Sequence, residues 1–298
     1  REIRAIVQVS KQGFTYVFDR VSGEPVWPIE ERSVETDTNL NGEVLSPTQP
    51  FPTKPLPFED QGSSIDQLVD FTPDIRSIAV EAVKNHRLGG LFSPPMVAVS
   101  DGIQGTIQRP AIGGGANWMG SAVDPQTGLL YIPSLNAYSV MRYVTPEAEG
   151  ANLNYTQGGF NTPSLMPQGL PLFKPPYSRI TAIDLNTGEH SWMQPNGDGD
   201  RYRNLPLLRD LNLPPLGGDG RGGPVLTSTL LISALSAGGS NGGPRLVARD
   251  KMTGEIVGSV DLPGGAIGTP MTYMHQDKQY IALTVGGDVP ELIALALP

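Results

Sequence analysis

The segment "VFDRVSGEPVW" (residues 17–27) decides the fold class, because three similar segments follow it along the chain. They are "AVDPQTGLLYI" (122–132), "AIDLNTGEHSW" (182–192) and "ARDKMTGEIVG" (248–258). Each places an aspartate four residues before a glycine, and a serine or threonine directly before that glycine. The pattern predicts a β-hairpin, in which the glycine takes the positive φ of the turn and the polar side chains bond nearby amides.

Repeated hairpins separated by further short strands are typical of a β-propeller. A four-stranded blade needs about 40–45 residues, and the glycines of the four hairpins lie further apart than that, so we expect blades that carry insertions. A β-sandwich stays possible, but it leaves one hairpin signature used four times unexplained. The other strand-like runs are Ile6–Ser10, Leu129–Pro133, Val225–Leu231, Met271–Tyr273 and Tyr280–Val285.

The blades counted along the chain do not complete a ring. We expect a first blade of three strands, two fuller blades at about 117–195 and 223–262, and a last blade of three strands at 267–298. The chain is then all-β and forms roughly half of a propeller, whose usual range is about 4–8 blades. Open faces would expose apolar surface, so we expect completion by a missing N-terminal half or by self-association. The strands of the first blade are predicted at Arg4–Ser10, Phe14–Arg20 and Val26–Glu30.

Two insertions interrupt the blades, at about 31–110 and 140–176. In the first, the Pro-rich run "SPTQPFPTKPLPF" (46–58) predicts an extended surface strap. Residues 72–90 predict a helix, with Thr72 as N-cap and Gly89 at its end. The apolar face of this helix is predicted to contain Ile75, Ile78, Ala79, Ala82 and Val83.

Composition excludes several kinds of function. The formal net charge of −9 offers no basic face for a nucleic acid, and the lack of cysteine excludes disulfides, thiolate metal sites and thiol nucleophiles. The three histidines stand apart without metal-ligand spacing, so we predict no metal ligands in the chain. No run approaches 18 apolar residues. The chain opens directly in strand-like residues, "REIRAIVQVS", and we expect it to be cut from a longer protein.

Lys11 follows an alternating strand, "IVQVSK" (6–11), which places it on the same side as Val7 and Val9. A solvent-exposed lysine at a turn is one interpretation. The other is a cationic donor at the end of a strand, where sites on β scaffolds usually lie. Alternation alone does not decide between them.

The run "GGGANWMGSAVDP" (113–125) is the second candidate segment. Its glycines let the backbone approach a ligand closely, and Asn117 and Trp118 offer hydrogen bonds beside a flat ring. The alternative is a glycine-rich turn with Trp118 packed in the core. A phosphate cradle is excluded, because no GxxxxGK[ST] motif is present.

Taken in order, these segments resemble the pyrroloquinoline quinone (PQQ)-dependent dehydrogenases, which are eight-bladed propeller quinoproteins. The likeness is strongest to the glucose and related sugar or polyol dehydrogenases, and the chain is similar to the C-terminal half of such an enzyme. Each segment is weak evidence alone, but their common order is specific and covers nearly the whole chain. The segments are residues 10–34, 88–95, 114–132, 179–192, 222–227 and 268–287.

The resemblance implies roles for five residues. Lys11 matches the family's lysine that contacts the orthoquinone, where it would act as the cationic donor in catalysis. Asn117 and Trp118 match an Asn-Trp pair that lines the cofactor site, and Gly286 and Gly287 match a turn near the cofactor. The base aspartate and the ligands of a calcium or magnesium ion belong to the N-terminal portion of the family, upstream of Arg1. The chain alone is therefore expected to be inactive.

The resemblance also implies a reaction, which is hydride transfer from a sugar or other alcohol to the quinone. Electrons would pass to a quinone or cytochrome acceptor, and the location would be the periplasm. A rival hypothesis is a cofactor-free PQQ-like propeller that acts as a scaffold, such as an outer-membrane assembly lipoprotein. A third is a sugar-binding propeller without redox activity.

Overall fold

The computed structural model describes residues 2–158 and 164–296. The chain forms two compact units, unit 1 from residues 1–115 and 136–174, and unit 2 from residues 116–135 and 175–298. The helices are α1 (Pro73–Val83) and α2 (Asp200–Arg203). The strands are β1 (Ala5–Val9), β2 (Thr15–Asp19), β3 (Ile29–Ser33), β4 (Thr48–Pro52), β5 (Met96–Val97), β6 (Thr106–Gln108), β7 (Ala122–Val123), β8 (Leu129–Leu135), β9 (Ser139–Val144), β10 (Thr156–Gln157), β11 (Ser178–Asp184), β12 (Glu189–Pro195), β13 (Val225–Leu226), β14 (Leu230–Leu235), β15 (Arg245–Asp250), β16 (Ile256–Asp261), β17 (Met271–His275), β18 (Lys278–Val285) and β19 (Glu291–Ala296).

Unit 1 contains the N-terminal hairpin, all of the first predicted insertion (residues 31–110) and residues 140–174 of the second. Strands β1 and β2 pair antiparallel, and β9 lies at the centre of a second sheet with β5, β6 and β10. The predicted third strand of the first blade, Val26–Glu30, is wrong. Pro25 forms a bridge with Phe18 and Val26 N donates to Val17 O, but β3, which begins at Ile29, pairs with β4.

The Pro-rich run explains that departure. The run is extended as predicted, and it supplies β4, which forms a separate two-stranded sheet with β3. Proline lacks an N–H and suits an edge strand, as Pro50 and Pro52 do here. Phe51 of β4 packs edge-to-face against Phe14, with ring centroids 5.5 Å apart, so the insertion is fixed to the start of β2.

Helix α1 begins as predicted, since Thr72 Oγ1 accepts a bond from Ile75 N (3.2 Å). It ends at Val83 and does not extend to Gly89, because Arg87 joins a β-bridge to Thr106. Its buried residues are Ile75, Ala79 and Val83, whereas Ile78 of the predicted face is exposed. Within residues 2–158 and 164–296, neither helix has the length and apolar character needed to cross a bilayer.

Unit 2 consists of three antiparallel sheets in chain order. Their strand orders are β12-β11-β8-β7, β13-β14-β15-β16 and β17-β18-β19. The two fuller blades and the three-stranded last blade are therefore confirmed. The predicted single strand Val225–Leu231 is wrong, because a turn held by a bond from Leu230 N to Thr227 Oγ1 divides it into β13 and β14.

Successive sheets of unit 2 pack face to face. The two faces of β14 show this, because alternate side chains of a strand point to opposite sides. Leu231 packs with Tyr131 and Ile180 of the first sheet, whereas Ile232 packs with Leu283 and Val285 of the third. The first strands of the first two sheets, β7 and β13, also contact each other. This stacking is the blade packing of a propeller and confirms the predicted class.

All four repeated segments adopt the predicted hairpin turn. In each, the glycine N–H donates to the aspartate carbonyl at 2.7 or 2.8 Å, and the glycine φ lies between +74° and +80°. The aspartate carboxylate accepts a bond from the amide two residues later, and the serine or threonine hydroxyl accepts one from the residue after the glycine. The repeated segments therefore have a structural role, because each forms the turn of a hairpin.

One hairpin aspartate also joins two blades. Asp124 is buried, and its Oδ2 lies 2.7 Å from Nζ of Lys251, which belongs to the hairpin of the next sheet. The bond from Lys251 lowers the pKa of the Asp124 carboxyl to about 2.

Candidate functional site

The repeated hairpins occupy one end of the unit 2 sheets, and the candidate site lies at the other. The hairpins connect β7 to β8, β11 to β12 and β15 to β16. At the opposite end β8, β12 and β14 finish while β7, β11 and β13 begin, so the connections there are long and differ from blade to blade. Loops carried by a rigid scaffold are where binding residues concentrate.

A cavity of about 370 Å³ opens at this second end, entirely within unit 2. Its wall is formed by the segments that precede the first strands of the three sheets (β7, β13 and β17) and by the ends of β8 and β14. The lining residues are Met119, Leu135, Arg201 and residues 218–223, 234–236 and 265–268.

Glycine backbone forms much of the wall. A Cβ on Gly223 would lie 2.3 Å from Met119 O and 2.4 Å from Thr269 Oγ1. The segments that precede β7, β13 and β17 therefore meet at this glycine. At Gly265 and Gly268 an added Cβ would meet no atom within 4 Å. Both glycines are exposed, so the backbone at these positions is open to close approach by a ligand.

The polar wall contains one carboxylate and two guanidinium groups. Asp219 is 2% exposed, and its Oδ2 accepts a bond from Gly199 N (3.0 Å). Arg201 stacks on the Tyr202 ring, with 4.4 Å between its Cζ and the ring centroid. Arg221 is half-buried, and burial lowers the pKa of its guanidinium. Guanidinium groups suit carboxylate or hydroxyl groups of a ligand.

Asn117 and Trp118 lie in the loop before β7, directly before the wall residue Met119. Asn117 Oδ1 accepts a bond from Trp118 N (2.9 Å), and Asn117 O accepts one from Gly120 N (3.0 Å). Trp118 is 95% exposed, so its alternative interpretation as a core residue is wrong. A large flat ring exposed beside a cavity is suited to stacking on a planar ligand.

Gly286 and Gly287 directly follow β18, and Gly286 contacts the wall of the same cavity. Gly286 N donates to the carbonyl of Gly265, a wall residue, at 2.8 Å. A Cβ on Gly264 would lie 1.8 Å from Gly286 O, so the two backbones are in close contact. The structure thus places four of the five predicted residues along one edge of unit 2.

Lys11 is the fifth residue and belongs to unit 1. It is exposed in the turn between β1 and β2, at the end of that sheet opposite the Asp19–Gly23 turn. In unit 2 the cavity likewise lies at the end of the sheets opposite the repeated hairpins. The carbonyl of Lys11 accepts a bond from Gly115 N (3.0 Å).

Sequence reasoning missed the wall segment 218–223. Its signal is the second glycine-rich run, "GGDGRGG" (217–223), which places Asp219 and Arg221 among glycines directly before β13. That is the position, before the first strand of a sheet, that Asn117 and Trp118 occupy in the preceding sheet.

Comparison with known proteins agrees with this geometry. The sequence model of the family described as "Glucose/ethanol/alcohol dehydrogenase, beta-propeller domain" matches residues 1–281. The chain is 28% identical to the glycerol dehydrogenase large subunit of Gluconobacter oxydans (strain 621H), over 99% of this chain and 43% of the relative. It is also 28% identical to the quinoprotein glucose dehydrogenase of Escherichia coli (strain K12), over 96% of this chain and 37% of the relative.

A solved structure shares the fold. The quinohemoprotein alcohol dehydrogenase of Pseudomonas putida HK5 superimposes with a TM-score of 0.50 at 16% identity, over 96% of this chain and 33% of that one. The chain therefore spans less than half the length of the proteins it matches. Because the family match extends over nearly all of its residues, the chain belongs to the glucose/ethanol/alcohol dehydrogenase β-propeller domain family.

Proposed function

We propose that this chain forms part of a PQQ-dependent dehydrogenase that oxidises a hydroxyl group of a sugar, polyol or other alcohol. The observation that carries the proposal is the glycine-walled cavity beside the exposed Trp118 ring. When bound, PQQ supplies the redox chemistry, since its quinone accepts a hydride from the alcohol carbon. Family membership and the names of the relatives support this class of reaction.

PQQ is a planar molecule with three carboxylate groups, and the residues present fit it. The open positions at Gly265 and Gly268 leave room against the backbone, and Trp118 offers a free aromatic face. Arg221 and Arg201 supply donors suited to carboxylates. The amide of Asn117 would orient the ring system, and the Gly286–Gly287 turn would close one side.

Lys11 has a different task in this proposal. Its ammonium would donate a hydrogen bond to the quinone oxygen and stabilise the negative charge that develops there. Exposure keeps the ammonium group available for that contact. The match of Lys11 to the family's lysine supports the assignment.

The remaining parts of the active site would come from outside these 298 residues. They are a carboxylate base that takes the hydroxyl proton and the ligands of a calcium or magnesium ion. A missing N-terminal half, or self-association, would also complete the ring of blades. The acceptor would be a quinone or a cytochrome, and the location the periplasm. The chain spans 43% and 37% of two relatives' lengths, which supports the proposal that other parts of the active site lie outside these residues.

Calorimetric titration of PQQ, with calcium, into the full-length protein containing this chain tests the proposal. We expect binding, reduction of a dye with sugars or alcohols, and about tenfold weaker binding in Trp118→Ala, because one stacked ring contact is lost. Val44→Ala is the control, since Val44 is 94% exposed and belongs to unit 1. No PQQ binding by the full-length protein would contradict the proposal and favour a cofactor-free scaffold or sugar-binding propeller.

A further inference from the structure

Three successive carbonyls of the turn that carries Lys11 are held from outside the turn. Lys11 O accepts a bond from Gly115 N (3.0 Å), Gln12 O from Gln61 Nε2 (2.8 Å), and Gly13 O from Phe58 N (3.0 Å). An exposed turn ordinarily leaves such carbonyls to water. In this turn the carbonyls of residues 11–13 each accept a hydrogen bond from another segment, although Lys11 itself is exposed.

Two of the three donors, Phe58 and Gln61, lie in the first insertion, at the last residue of its Pro-rich run and three residues after it. Phe58 is 1% exposed, and the segment after it passes directly beneath the turn. Strand β4 of the same insertion is fixed to β3 by its ladder and to Phe14 by an aromatic contact. The insertion therefore connects the core of unit 1 to the Lys11 turn.

Glu59 fills the space below the turn. It is buried, and a Cβ on Gly13 would lie 3.3 Å from Glu59 Cβ. A Cβ on Gly115 would lie 3.1 Å from both Cβ and Cγ of Glu59. Close packing on both glycines prevents the turn from shifting toward the insertion.

We infer that Gln61 is a positioning residue for Lys11. Two of the three donors are backbone amides, whereas Gln61 contributes a side chain that substitution can remove. Its amide fixes the peptide between Gln12 and Gly13, which follows the peptide held by Gly115, and so limits where the Lys11 ammonium group can go. This inference rests on the proposed function of Lys11 and assigns the first insertion a role in it.

The test is a double-mutant cycle in the full-length protein with PQQ and calcium. Gln61→Met keeps the length of the side chain and adds no charge near Lys11, but removes the donor. Loss of one hydrogen bond predicts a roughly three- to tenfold lower kcat/KM and weaker PQQ binding. In a Lys11→Ala background the same change should have no further effect, because Gln61 acts through Lys11.

The control is Gln67→Met, the same change on the same unit at a side chain whose hydrogen bond is local, accepted from Ser64 Oγ. We expect it to leave kcat/KM unchanged. Gln61→Ala is the second variant if Gln61→Met is poorly folded, as judged by its thermal transition.

The outcomes are distinguishable. If Lys11→Ala lowers activity and Gln61→Met lowers it by the same factor in both backgrounds, or has no effect in either, the inference is overturned while the role of Lys11 stands. If Lys11→Ala changes neither PQQ binding nor kcat/KM, the proposed role of Lys11 is overturned and this inference with it. Loss of the Gln61 effect in the Lys11→Ala background alone supports the inference.

Discussion

Single residues of the repeated hairpins share a turn but not an environment. All four aspartates make the same backbone bonds, yet only Asp124 is buried, whereas Asp19, Asp184 and Asp250 are half-buried. Its partner Lys251 is also nearly buried, with 10% of the side chain exposed. Removing one member of such a pair leaves an uncompensated buried charge. Asp124 and Lys251 are therefore a point where two blades depend on each other.

Lys251→Met should lower the free energy of unfolding by about 3–5 kcal/mol, because it leaves the Asp124 carboxylate buried without its cation. Urea titrations at pH 7 measure this. Lys84→Met is the matched control, since Lys84 pairs with Glu81 on the exposed surface of α1, where such pairs contribute about 0–1 kcal/mol. Equal effects of the two substitutions would contradict the assigned role of the buried pair.

The same pair predicts an acid-dependent loss of stability. The folded pKa of Asp124 is about 2, below the unfolded value of about 3.9, so its stabilising contribution is complete above about pH 4. The contribution disappears as the pH falls from about 4 to about 2. Unfolding free energies measured across this range should fall less steeply in Lys251→Met than in the wild type. Identical slopes would show that Lys251 does not lower the pKa of Asp124.

Among the structural elements, the starting segments of the unit 2 sheets form the candidate site. Glycines perform two separate tasks there. Gly223 permits contact between backbone segments, whereas Gly265 and Gly268 keep space open. Substitution at the first kind of position should cost stability, and substitution at the second kind should cost binding.

Gly268→Val tests the second kind. Its Cβ meets no atom within 4 Å, so we expect an unchanged thermal transition and at least about tenfold weaker PQQ binding as the side chain fills the cavity. Gly258→Val is the control, because Gly258 lies on β16 with equally open surroundings away from the cavity. Undiminished PQQ binding by Gly268→Val would exclude the cavity as the binding place.

For the whole molecule, the sequence predicts what depends on neighbouring residues and fails where distant segments combine. The hairpins follow from bonds within six residues, so their aspartates and glycines are recognisable directly. Thr72 as the N-cap of α1 is predictable for the same reason. The helix end is not, because Arg87 leaves the helical pattern to pair with Thr106, nineteen residues later in the chain.

The residues of the candidate site also fall into those that the sequence predicts and those that it does not. Asn117, Trp118 and the Gly286–Gly287 pair are predicted because the ordered motifs resemble a family, and unit 2 brings them to one edge. Asp219, Arg221 and the brace at Gln61 are missed, since their importance comes from segments far apart in sequence meeting at the cavity or at the Lys11 turn. Likewise, β3 pairs with the Pro-rich β4 and not with β2, which hydrophobic alternation does not reveal.

A crystal structure of the full-length protein with PQQ tests the central claim most directly. We predict that the ring system lies against Trp118, with the glycine wall at Gly265 and Gly268 on its other side. PQQ bound elsewhere, with Trp118 still exposed to solvent and the cavity of unit 2 without ligand, would contradict it.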